Sequence, residues 1–164
     1  MARTSIMNTL VQASVNKVTQ GSADAFAYDT IQTGMSTSSR YGWLIHSIGF
    51  MVGNIGAVAS ADGYFRVQVV KNEETSSLVD SADNDLIYEW GTSVIAAGTP
   101  ANLFTFGLNH YWEAPPGLLV VNPQLSLLID SDATGLTMSA TARIYYYPTE
   151  VSEMDMLRLI TSTT

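Results

Sequence analysis

The chain has no cysteine, which excludes disulfides, thiolate metal sites and cysteine nucleophiles together. Positive charge is scarce: 7 Lys and Arg stand against 15 Asp and Glu, a formal charge of −8. The seven are scattered singly as Arg3, Lys17, Arg40, Arg66, Lys71, Arg143 and Arg158. Phosphate backbones are bound by clustered Lys and Arg, so this composition argues against direct nucleic-acid binding. Charge of either sign is thin, at 13% of residues, about half the usual share. Ser, Thr, Asn, Gly and Gln must therefore cover much of the surface. Mixed surface charge is what keeps free monomers apart, so a chain this poor in it reads as a subunit largely buried by other subunits. No apolar run reaches the roughly 18 residues that a membrane-spanning helix needs. The N-terminal apolar residues Ile6, Leu10, Val11, Val15 and Val18 are broken by Asn8, Gln12, Asn16 and Lys17, unlike the continuous core of a signal peptide. The expectation is synthesis in a cytoplasm.

What is present is β pattern from end to end. At 164 residues one domain suffices. Residues 25–33 mix aromatic and β-branched side chains before a Gly- and Ser-rich break. Residues 41–52 put Trp43 and Ile45 on one face and Leu44, His46, Ile48 and Phe50 on the other, both largely apolar, which predicts a central strand. Residues 64–71 alternate Phe65, Val67 and Val69 against Arg66, Gln68 and Lys71, a half-buried strand. Residues 72–85 are polar and acidic and predict a long exposed loop. Strand pieces follow at 86–90 and 93–96 around Gly91, and at 103–106 and 108–112 around Gly107, where glycine predicts bulges. After the turn Ala114-Pro115-Pro116-Gly117 come short strands at 118–121 and 125–129 with a turn at Asn122-Pro123. In the last strand, 136–147, Leu136, Met138, Ala140, Ala142, Ile144 and Tyr146 share one face. From Glu150 the period changes to 3.6: Ser152 fits an N-cap, and Met154, Met156, Leu157, Leu159 and Ile160 form an apolar side. The expectation is an all-β fold: a two-sheet antiparallel sandwich of jelly-roll type. It has about eight strands, an N-terminal arm over 1–20 and a short C-terminal helix over 150–161. So short a helix cannot stand alone and must dock on its own sandwich or on a neighbouring copy.

Motifs that could carry chemistry are few. Asp130-Ser131-Asp132-Ala133-Thr134-Gly135 follows an apolar strand, as does the DxDxT start of haloacid dehalogenase phosphotransferases. Those enzymes need a further Rossmann-like segment to complete the site, and here one strand and a helix follow. The same residues open like a calcium loop, with oxygens at positions 1, 3 and 5 and Gly at 6, which leaves Asp130 and Asp132 as weak metal candidates. The twelfth position is Thr141 where such a loop has Glu. An Asp- and Gly-rich hairpin turn is the favoured reading. His46 and His110 lack the His-x-His pattern of a cupin metal site, and each is favoured as a structural histidine. No nucleophile elbow, phosphate-cradling loop or catalytic carboxylate pair occurs. No cofactor is expected, and neither is an enzyme. Trp43, Trp90, Trp112 and the run Tyr145 to Tyr147 could line a sugar-binding face, but strand aromatics more often serve the core or subunit contacts.

The stretch from Glu113-Ala114-Pro115-Pro116-Gly117 through Arg143-Ile144-Tyr145-Tyr146 to Met154-Asp155-Met156-Leu157 resembles small single-jelly-roll capsid proteins of icosahedral viruses of bacteria and archaea. The resemblance implies a non-enzymatic structural protein of the virion. Such a subunit self-assembles in many copies, with other virion proteins as partners, and exchanges its loops and termini between copies. Assembly contacts are expected at Ile6, Leu10, Val11, Tyr145, Tyr147, Met154 and Leu157. There is no Arg-rich arm, so the inner surface would face a membrane, a protein layer or nucleic acid condensed by something else. Deleting residues 1–20 is expected to leave a folded sandwich that no longer assembles. The alternative is a carbohydrate- or surface-binding β-sandwich module, such as a phage tail or decoration protein, with affinity carried by Trp90 or Trp112.

Overall fold

The computed structural model describes residues 11–35, 40–54, 62–72, 74–94, 109–132, 134–152 and 154. Eight strands are present among them: β1 (Gln12–Thr19), β2 (Ala27–Gln32), β3 (Tyr41–Asn54), β4 (Gly63–Lys71), β5 (Leu86–Val94), β6 (Asn109–Val120), β7 (Gln124–Asp132) and β8 (Met138–Glu150). They form two four-stranded sheets, one in the order β1-β8-β3-β6 and the other in the order β2-β7-β4-β5. Every pairing is antiparallel.

The first strand pairs with the last, β2 with β7, β3 with β6, and β4 with β5. This is a long antiparallel ribbon wound around a core, so that all consecutive strands except β4 and β5 lie in opposite sheets. The winding is that of a jelly roll. Apolar residues at alternate positions give each sheet one face to bury. Phe65, Val67, Val69, Ile31, Leu125, Leu127 and Ile129 from one sheet meet Ile45, Ile48, Phe50, Ala140, Ala142 and Ile144 from the other, all buried. Phe50 stacks on Tyr88 at 5.3 Å between ring centroids, and Tyr88 stacks on Trp112 at 5.3 Å. The three rings tie β3 and β6 to β5 across the layer. At another point of the core Trp43 stacks on Tyr146 at 3.8 Å, and Tyr146 donates its hydroxyl to Gln12 Oε1.

Several expectations are corrected. Strict alternation along 41–52 fails because the β3–β8 register passes from Ile45–Tyr146 to Ser47–Tyr145, leaving His46 as an extra residue. A bulge of one residue reverses which face the following side chains take. Trp43, Ile45, Ile48, Phe50 and Val52 therefore all point into the core. Ala114-Pro115-Pro116-Gly117 is not a turn between strands but an irregularity inside β6, between Glu113 opposite Ser47 and Leu118 opposite Ile45. Proline has no N–H to give the ladder, and Gly117 takes φ +120° against the Leu44 side chain. Gly91 does not divide β5. The irregularity there lies at Ile87, between Val69–Tyr88 and Val70–Leu86.

Residues 130–135 do not make a hairpin turn. Their chain leaves β7 in one sheet and enters β8 in the other. The arm expected over 1–20 is shorter, since Gln12–Thr19 is an integral edge strand along β8. Glu150, expected to begin the helix, ends β8 opposite Tyr41. The rest of the expected helix, apart from Val151, Ser152 and Met154, lies outside the described residues, as do residues 95–108 with the strand pieces expected there.

These contacts predict that a chain lacking residues 1–19, which loses the partner of one edge of β8, melts far lower than the full-length protein or aggregates. Phe50→Ala opens a cavity in the ring stack and is expected to cost about 4 kcal/mol in denaturant unfolding.

Candidate functional site

The β1-β8-β3-β6 sheet turns one face away from the core, and of the residues expected to make assembly contacts Tyr145 and Tyr147 lie on it and Val11 lies beside it. The register sets Ala13, Tyr145, Ser47 and Glu113 in one row, Val15, Arg143, Gly49 and Tyr111 in the next, and Lys17, Thr141, Met51 and Asn109 in a third. Val15 is 55% exposed and Met51 54%, unusual for large apolar side chains on paired strands. Tyr145 and Tyr147 are half-buried on the same face, where Tyr147 meets His46 edge-on and Tyr145 receives a bond from Arg143. Val11, just before β1, is exposed, and so is Met154. Ile6, Leu10 and Leu157 lie outside the described residues.

The tryptophans are placed differently from a sugar platform. Trp90 packs edge-on against Phe65 and Trp112 stacks on Tyr88, both against the core. Burying an indole face there removes it from a ligand. His46 is exposed at its bulge, with Nδ1 3.3 Å from Ser47 Oγ, and the backbone of His110 sits opposite Phe50.

The opposite sheet carries the acidic loop. Residues 74–85 do not extend freely into solvent: Gln68, expected to face water, is fully buried beneath them. Its amide donates to Val79 O and accepts from Val79 N. It also donates to Glu89 Oε2. Ser126 Oγ donates to Asn72 O and accepts from Glu74 N, and Lys71 Nζ donates to Asn84 O. Asp80 and Asp83 cap the loop's own turns by accepting from Ala82 N and Asp85 N. A buried amide that bonds both ways is well satisfied, so the loop has a fixed shape. Alternation alone could not reveal this, because it shows only that Gln68 faces away from the core.

Asp130 and Asp132 lie at the end of β7 opposite Arg66 and Tyr64, with Arg66 over the Tyr64 ring. Burial pushes the Asp130 carboxyl up, and the nearby Asp132 and Asp24 carboxylates add to this against Arg66. Among the described residues no group of three or more His, Cys, Asp or Glu is arranged to hold a metal ion. No helix among them is long and apolar enough to cross a membrane.

The polar feature that sequence reasoning missed is Asp24. It sits at φ +52° between β1 and β2 and fastens the β7–β8 crossing. Its Oδ1 accepts from Ser131 Oγ, Thr134 N and Thr134 Oγ1, and its Oδ2 accepts from Gly135 N. Beside it Gln20 donates to Ala25 O and Ser131 Oγ and accepts from Met138 N. Burial alone would raise the Asp24 carboxyl, but the bonds from Thr134, Gly135 and Ser131 outweigh it and hold it below the usual range. An aspartate in a Gly- and Ser-rich turn is a sequence signal for capping, but its partners lie over a hundred positions away.

No protein-family model matches the chain, and no curated protein sequence matches it. Solved structures similar to it include one titled Desmodium yellow mottle tymovirus, at 11% identity and a TM-score of 0.37, covering 88% of this chain and 91% of that one. A structure of turnip yellow mosaic virus is similar at 8% identity and a TM-score of 0.38, covering 89% and 98%.

Asp24→Asn keeps the shape and tolerates the left-handed backbone but loses the charge, and is expected to destabilise the fold by roughly 1–3 kcal/mol at neutral pH. A depressed folded-state pKa stabilises above the unfolded value, near 4, and that contribution is lost as pH falls through the folded value. Wild type and Asp24→Asn should therefore converge in urea melts as the solution becomes strongly acid. Asp130 has the opposite sign: its raised value opposes folding once ionised, so Asp130→Asn should raise the melting temperature at neutral pH and leave it unchanged in strong acid.

Proposed function

We propose that this protein is a non-enzymatic capsid subunit that self-assembles in many copies into a virus shell. The observation that carries this reading is the outer face of the β1-β8-β3-β6 sheet. It exposes Val15 and Met51, with Val11 exposed just before β1, on a chain with 13% charged residues, a face that solvent does not suit and that a neighbouring subunit would cover. The jelly-roll winding fits, since a fixed sandwich core leaves faces, loops and termini for contacts. Jelly rolls also serve lectins and cupins, and here Trp90 and Trp112 pack inward. Ile6, Leu10 and Val11 of the expected arm would anchor it on a neighbour, and Met154 and Leu157 would reach a second one. The location is the virion, with assembly in the host cytoplasm. Contacts to genome would run through other virion proteins, because Lys and Arg are few and scattered.

Light scattering and negative-stain imaging of the purified protein test this reading. Closed shells or ordered rings are the expected result. A protein that stays monomeric across concentration and salt would sink the proposal. The chain lacking residues 1–10 should remain folded, by circular dichroism, and form fewer or no particles.

A further inference from the structure

We propose that the outer face of the β1-β8-β3-β6 sheet seats the 74–85 loop of a second copy of this chain. The inference rests on the shell reading and names the contact. Two independent kinds of complementarity carry it. The first is charge. The exposed face bears Lys17 and Arg143, and in its three rows β1, β8 and β3 contribute no acid, leaving only Glu113 on the far strand β6. The loop bears Glu74, Asp80, Asp83 and Asp85. On a chain of net charge −8 two copies repel at long range. A specific contact must therefore bring the local cations of one against the acids of the other.

The second is apolar. Val15 and Met51 stand exposed beside the cations, and Leu78 and Val79 sit half-buried beside the acids. The loop is held in shape by the paired bonds of Gln68 with Val79 and by the Asp80 and Asp83 turns. Little ordering cost therefore falls on binding. The loop covers the outer face of one sheet and its receptor is the outer face of the other, so the contact is heterologous. A heterologous contact cannot saturate in a dimer and runs on into rings or larger assemblies.

Charge substitutions on both surfaces test it. Lys17→Glu with Arg143→Glu, and separately Asp80→Asn with Asp83→Asn, which keeps the accepting oxygen of both turn caps and removes their charge, should each weaken assembly about tenfold or more in sedimentation at low salt. Combining all four removes the acid-against-acid repulsion of the first pair and should recover part of its loss. Val15→Ser with Met51→Ser, which leaves charge alone, should also weaken assembly, and circular dichroism checks that each variant folds. Wild-type shells with unaffected charge variants would overturn this contact and leave the shell reading standing. Both charge pairs weakening assembly without rescue in the combination would also overturn it, as would assembly abolished only by removing residues 1–10, which would assign the face to the arm. A wild type that never associates overturns both.

Discussion

The structure depends on β8 being paired along both edges, by β1 on one side and β3 on the other. That ladder joins the first strand of the chain to the last and so closes the wound ribbon. With β1 and β8 joined, β2 and β7 are brought together in the opposite sheet, and the remaining pairs follow inward to β4 and β5. Most ladders join strands distant in sequence, which makes the fold one of non-local contacts. The polar clamp at Asp24 and Gln20 serves the same closure. It holds the β1–β2 connection to the β7–β8 crossing, where two connections pass between the sheets and backbone groups would otherwise lack partners.

The two outer faces are then free to differ. One is covered by its own acidic loop, drawn down by Gln68 and Ser126, and so presents a folded, negatively charged relief. The other presents valine, methionine and tyrosine among two cations. This asymmetry is what a subunit with directional contacts requires. It also explains how a chain with few solvating charges can have a regular core and still leave large apolar side chains outside.

Much of the fold is legible in the residues. Phe65, Val67 and Val69, or Met138, Ala140, Ala142 and Ile144, alternate with polar neighbours at the strand period, and those are the buried positions. The alternation misleads where a bulge intervenes. Nothing local marks His46 as an extra residue, because bulges are set by the register of the partner strands. Pro115 and Pro116 predict a break in the ladder but not whether the strand resumes, and the pairing of Leu118 with Ile45 decides that it does. At the candidate surface, Val11, Tyr145 and Tyr147 were readable as apolar or aromatic residues at strand ends. Val15 and Met51 were not, since a strand valine or methionine has the same appearance whether it faces core or solvent.

Composition and period by themselves determined an all-β chain of two apolar-faced sheets, without disulfides and with its few positive residues scattered singly. Both properties are local or additive, so they need no knowledge of which strands meet. The tertiary structure alone decided that residues 130–135 cross between sheets, that Gln68 lies buried beneath the acidic loop, and that Asp24 holds Thr134 and Gly135. It also decided which apolar side chains remain outside. Each of these rests on a pairing between distant segments, and burial and hydrogen bonding become defined only once those segments are brought together.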